Sequence, residues 1–105
     1  MGLQLFVVLA LPLVVAADVV VLKNGDRVTG KIVQKDGANL KVQTDLMGEV
    51  TIAWASVTSV ESAEPLTVVL PGGESVQGRI ATRDGKVEVE QRSAPLAEVA
   101  AIRNA

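Results

Sequence analysis

A period-two alternation of apolar and polar side chains, broken at short intervals by glycine turns, is the feature of this chain that most restricts its fold. Val28, Gly30 and Ile32 fall on one side of an extended segment, and Arg27, Thr29 and Lys31 on the other. That spacing predicts a half-buried strand, not a helix. The same alternation returns in Leu40, Val42 and Thr44, in Val50, Ile52 and Trp54, and in Val87 and Val89 against Glu88 and Glu90. Between these runs stand Asn24-Gly25, Asp36-Gly37, Gly48, Gly72-Gly73 and Asp84-Gly85, residues that accept the positive φ of tight hairpin turns. The expected fold class is all-β.

The pattern also repeats. Val21, Leu22, Gly25, Val28, Gly30, Ile32, Asp36 and Gly37 recur 48 residues later as Val69, Leu70, Gly73, Val76, Gly78, Ile80, Asp84 and Gly85. Behind Gly85 the second copy loses one residue, and about five more from the hairpin that carries Asp45-Leu46-Met47-Gly48 in the first. Trp54, Val57 and Val60 then correspond to Leu96, Val99 and Ile102. Glu64-Pro65 sits at the seam, where proline disfavours a central strand. The expected organisation is therefore residues 18–63 as a first β-unit and 64–105 as a second. Each unit has four strands, a short turn (55–57 and 97–99) and a brief fifth strand. This is the element order of small SH3-like or Sm-like barrels, with Gly30 and Gly78 placed where a strand bends to close. An antiparallel meander with bulges at both glycines is the alternative.

Residues 1–17 carry no charged side chain and hold a dense apolar run from Leu5 to Val15. Val15 and Ala17 occupy the small-residue positions of a signal-peptidase site, so the chain reads as exported, with cleavage after Ala17. An uncleaved anchor is the other reading, although the run falls short of the roughly 20 residues of a bilayer span.

Composition removes several function classes. The 105 residues have a net charge of -2 with both signs interspersed, so no basic face is available for nucleic acid. Histidine and cysteine are both absent, which takes away the usual transition-metal ligands and the usual bases for nucleophilic serine chemistry. Ser56, Ser59, Ser62, Ser75 and Ser93 have only lysine left as a base, and none stands in a Ser-x-x-Lys spacing. The carboxylate pairs Asp45/Glu49 and Asp84/Glu88 flank turns and outward strand faces. Asn24-Gly25-Asp26 and Asp36-Gly37 lack the further oxygen ligands of a calcium loop, and Gly72-Gly73 lacks the Lys-Ser/Thr of a phosphate-binding loop. No catalytic, cofactor-binding or metal-ligating residue is expected. Trp54, the single aromatic residue beyond the leader, is in phase with Val50 and Ile52, so a core position is expected of it rather than a ligand platform. One aromatic cannot supply the stacked platform of proline-rich-peptide or single-strand nucleic-acid binding.

The run Asp18-Val19-Val20-Val21-Leu22-Lys23-Asn24-Gly25-Asp26-Arg27-Val28-Thr29-Gly30-Lys31-Ile32, followed by Gly48-Glu49-Val50-Thr51-Ile52-Ala53-Trp54, resembles the N-terminal region of the salt-induced outer-membrane protein family. The resemblance covers the chain from residue 18 onward. It implies a periplasmic, membrane-associated role without catalysis; in that family a larger transmembrane β-barrel follows, so the chain is read either as part of a longer product that continues into such a barrel or as a free-standing periplasmic version of the repeat. Residues 18–105 do not themselves read as such a barrel, which needs at least about eight strands of ten residues with aromatic girdles. The expected function is that of a non-enzymatic envelope protein, structural or interactive, with an outer-membrane or periplasmic protein partner and a place in the response to salt stress. The alternative is a soluble periplasmic module that binds a peptide or cell-wall ligand through the hairpin at 45–49 or an unpaired strand edge. Residues 18–62 are expected to carry binding specificity, with 65–104 acting as their packing partner.

Overall fold

A computed structural model describes residues 2 and 16–104; residues 3–15 of the apolar leader lie outside the described residues. Eleven strands follow one another: β1 (Asp18–Leu22), β2 (Arg27–Asp36), β3 (Asn39–Thr44), β4 (Gly48–Ala53), β5 (Val57–Glu61), β6 (Leu66–Val69), β7 (Ser75–Gly78), β8 (Ile80–Arg83), β9 (Lys86–Val89), β10 (Arg92–Pro95) and β11 (Ala101–Arg103). Single 3₁₀ turns, Trp54–Ser56 and Leu96–Glu98, precede β5 and β11. Among the described residues there is no α-helix, so the chain is all-β. The two short turns begin one residue earlier than the sequence pattern places them.

In the first half the hydrogen-bonded order is β5-β1-β2-β3-β4. β2 is long enough to serve two partners. Its first part pairs with β1, Asp18 opposite Gly30, and its second part pairs with β3, Ile32 opposite Val42. The strand bends at Gly30, where an added Cβ would run into the backbone oxygen of Gln43. The buried Asp18 carboxylate holds the bend, accepting from Ile32 N and from Ala63 N, each at 2.8 Å.

In the second half the order is β11-β6-β7, then β8-β9-β10, because the strand that corresponds to β2 is interrupted at Arg79. The pairings correspond closely. Leu66 opposes Gly78 as Asp18 opposes Gly30, and Val68 opposes Ile102 as Val20 opposes Val60. The turn bonds Leu22 N to Asp26 O and Gly25 N to Leu22 O reappear as Leu70 N to Glu74 O and Gly73 N to Leu70 O.

Neither half closes on itself: β4 does not pair with β5, nor β10 with β11. Each half instead gives its last strand to the other. β11 pairs antiparallel with the second part of β2, Ile102 opposite Lys35. Conversely β5 lies against β8, where Ser62 N donates to Ile80 O at 2.9 Å and the Thr82 hydroxyl bonds both Val60 N and Val60 O at 2.9 Å. Val20, Ile32, Leu40, Val42 and Val60 from one half, with Val68, Ile80, Val87, Val89 and Ile102 from the other, belong to one buried core.

The alternative meander reading places bulges at both glycines, whereas the register shift within β2 lies further along the strand. Register in the β2–β3 pair shifts between Ile32 and Gln34, leaving Val33 as the extra residue. The β8–β9 pair, Ile80 opposite Val89 through Arg83 opposite Lys86, has no bulge. The one-residue deficit of the second copy is thus the missing bulge ahead of the turn, not a residue lost behind it.

Candidate functional site

The bulge at Val33 has a chemical consequence. Counted strictly from Ile32, alternation would send Gln34 inward and Lys35 to solvent; the extra residue reverses this, so Gln34 is exposed and Lys35 is 5% exposed. An ammonium group on the inward side of a strand needs acceptors for its protons. Lys35 Nζ donates to Val99 O at 2.6 Å and to Ala100 O at 3.1 Å, both at the end of the second 3₁₀ turn. The same nitrogen lies 5.1 Å from the ring centroid of Trp54, within the range of a cation–π contact. No carboxylate pairs with it among the described ion pairs, which are Arg83–Glu88 and Arg92–Glu74. Burial pushes the Lys35 ammonium below the usual lysine value of 10.5, and neighbouring Asp36 pulls it part of the way back.

Trp54 is positioned by the turn it opens. Its backbone N donates to Ala38 O at 2.7 Å, tying the turn to the β2–β3 hairpin, and Leu96 N donates to Gly85 O at 2.9 Å in the corresponding place. The indole Nε1 then crosses the seam to Leu96 O at 2.9 Å. Trp54 is 7% exposed and part of the core, as its phase with Val50 and Ile52 leads one to expect. Its remaining surface does something the periodicity could not indicate: it forms a wall of a cleft.

That cleft, about 720 Å³, opens between the two 3₁₀ turns. Trp54, Ala55 and Val57 line it from the first half, Leu96 and Ala97 from the second, and the hairpin residues Gly37, Ala38 and Gly85 complete it. Its charged lining residues are Lys23 and Lys35, with no carboxylate. The surface is largely apolar, with the exposed Lys23 at its edge.

The hairpin of Asp45 to Glu49 lies apart from it. β3 and β4 run from Asn39 and Ala53, beside the cleft, to Thr44 and Gly48 at the far end, about 20 Å away at the rise of an extended strand. The buried Thr44 hydroxyl donates to Gly48 O at 2.7 Å and accepts from Met47 N at 3.0 Å, so the tip is held in shape. Leu46 is 97% and Met47 67% exposed, the exposed large hydrophobic residues among those described. In the second half the corresponding loop is only Glu90-Gln91, between Val89 and Arg92.

Of the serines considered as nucleophiles, Ser62 accepts from Ile80 N at 2.7 Å and donates to Glu64 O at 2.9 Å, a linker contact. Lys35 is the residue that sequence reasoning missed. The available signal was the one-residue difference between copies, which a bulge in β2 explains. Comparison with protein-family models, with curated proteins and with solved structures returned no match.

Proposed function

We propose that the chain is a non-enzymatic, exported envelope protein in which two SH3-like units, 18–63 and 64–105, form a single interaction module, the cleft at their seam being its binding surface. The cleft carries this reading: an apolar concavity with a tryptophan wall and the exposed Lys23 at its edge, built jointly by both halves. The SH3-like description draws support from the strand order β5-β1-β2-β3-β4, the bend at Gly30 and the 3₁₀ turn before the last strand; the second half repeats the turn, and repeats the strand order with a break at Arg79. Export rests on the apolar leader and the small-residue site ending at Ala17. The resemblance to the salt-induced outer-membrane protein family adds the envelope, a continuing membrane barrel and the salt response.

Fractionation of cells expressing the intact gene, combined with N-terminal sequencing, tests this reading. The expected result is an envelope-associated protein beginning at Asp18, with a deletion strain impaired in envelope integrity at high salt. A cytoplasmic protein that retains Met1, in a strain of unchanged salt tolerance, would end it. A second reading, a soluble periplasmic module for a peptide or cell-wall ligand, is favoured by the size of the cleft. It would place the protein in the soluble periplasmic fraction, with a retained ligand that changes Trp54 emission.

A further inference from the structure

Two features at opposite ends of the β3–β4 ribbon complement each other. At one end is the cleft, apolar across Trp54, Leu96 and Ala97 and edged by the exposed Lys23, the Lys35 ammonium being buried against Val99 O and Ala100 O. At the other is a hairpin tip that exposes Leu46 and Met47 between Asp45 and Glu49. The tip is fixed by the Thr44 hydroxyl before any partner arrives, so little conformational entropy remains to be lost on docking. The fold does not require this extension, because the second half connects β9 to β10 through Glu90-Gln91 alone. A leucine left almost wholly in water on a rigid projection is a candidate anchor for a pocket.

We propose that the partner of the cleft is a second copy of this chain, whose Leu46–Met47 tip inserts into it with the exposed Asp45 and Glu49 facing the exposed Lys23. The inference rests on the reading of the cleft as the binding surface. The two sites of one chain lie at opposite ends of a ribbon about 20 Å long, so a chain cannot fill its own cleft. The contact is heterologous, head to tail, and leaves each end of a pair free to add another copy. The cleft's 720 Å³ accommodates the Leu46 and Met47 side chains together. The ionic part lies at an exposed rim, so raising the salt concentration weakens association and leaves its apolar part in place.

Sedimentation of the processed protein over a wide concentration range tests the proposal, with Trp54 emission recorded in parallel because it is the single tryptophan. The expected result is concentration-dependent growth beyond a dimer, accompanied by a change in Trp54 emission. Leu46→Asp, on a fully exposed tip, stays monomeric with an unchanged melting curve, while Leu46→Met still associates. Ala97→Glu, an exposed cleft residue, is also monomeric. A mixture of the Leu46→Asp and Ala97→Glu proteins pairs one to one and grows no further, since one supplies the intact cleft and the other the intact tip. Wild-type protein that stays monomeric at millimolar concentration, or association that survives Leu46→Asp, overturns the proposal. A monomer whose Trp54 emission still titrates with added peptide or cell-wall fragments overturns it too, while leaving the cleft as a binding surface.

Discussion

Lys35 places three N–H donors where little water reaches, and all three have a counterpart: two carbonyl oxygens at the end of the second 3₁₀ turn and the face of Trp54. The two carbonyl oxygens come from the opposite half, so the side chain acts as a latch across the seam. Lys35→Met keeps most of the stem volume and removes the donors, leaving Val99 O and Ala100 O short of partners. The expected loss is about 1–3 kcal/mol at neutral pH. The pH dependence has a definite sign. Burial lowers the pKa of Lys35 in the folded chain relative to 10.5 in the unfolded one, so between those values the folded state holds fewer protons. Unfolding free energy therefore rises with pH through that window, whereas below it both states are protonated and the cost of burying the charge is fully present. Urea unfolding followed by Trp54 emission should show wild type gaining on Lys35→Met as pH rises from 7 toward 10.5. A gap that narrows over this range would contradict the assignment.

At the level of strands, the legible part of the fold is the part set by alternation. Leu40, Val42 and Thr44 in β3, Ile52 in β4, and Val87 and Val89 in β9 are buried as their period predicts, and Gly25, Gly37, Gly72, Gly73 and Gly85 fall between strands as expected, while Gly48 opens β4. What sequence could not show is a change of parity within one strand. Nothing within Val33-Gln34-Lys35 distinguishes a bulge from continued alternation, so the inward turn of Lys35 left its trace only in the one-residue difference between the copies. The open edges were hidden for a related reason: pairing of β11 with β2 is a long-range choice that local pattern does not encode. The glycines Gly30 and Gly78 look equivalent in sequence and are not. A Cβ at Gly30 meets a backbone carbonyl, whereas at Gly78 it meets the flexible Glu90 side chain at 2.8 Å and a methyl group of Val89 at 3.1 Å. Gly30→Ala is expected to cost about 1–3 kcal/mol or more, the range of overpacking in a rigid site. Gly78→Ala should cost clearly less, because Glu90 can swing into solvent. Parallel thermal melts of the two variants compare them directly, and equal losses would mean that the bend in β2 is softer than its geometry implies.

For the molecule as a whole, the two halves are joined by exchange rather than by a linker alone. With the bulge counted out, Thr82 stands where Lys35 stands and Val60 where Ile102 stands, so the two seams are related by an approximate twofold. One is closed by backbone pairing of β11 with β2, and the other by the Thr82 hydroxyl against Val60. The asymmetry lies in the side chains, with Trp54 and Lys35 on one side answered by Leu96 and Thr82 on the other. Each half by itself would leave a bare edge on β2 or β8 and an incomplete core, and a chain of roughly 45 residues buries too little surface to compensate. The intact chain is therefore expected to unfold in one transition, with far-ultraviolet dichroism and Trp54 emission superimposed across the denaturant range. A fragment of residues 18–63 should show the unprotected amides and solvated tryptophan of an unfolded chain, and should gain structure when residues 64–105 are added in trans. If the fragment instead folds alone with protected strand amides, or the intact chain melts in two steps, the halves are independent domains. In that event the seam would be a docking contact between finished folds, and the cleft it forms would open and close without unfolding either one.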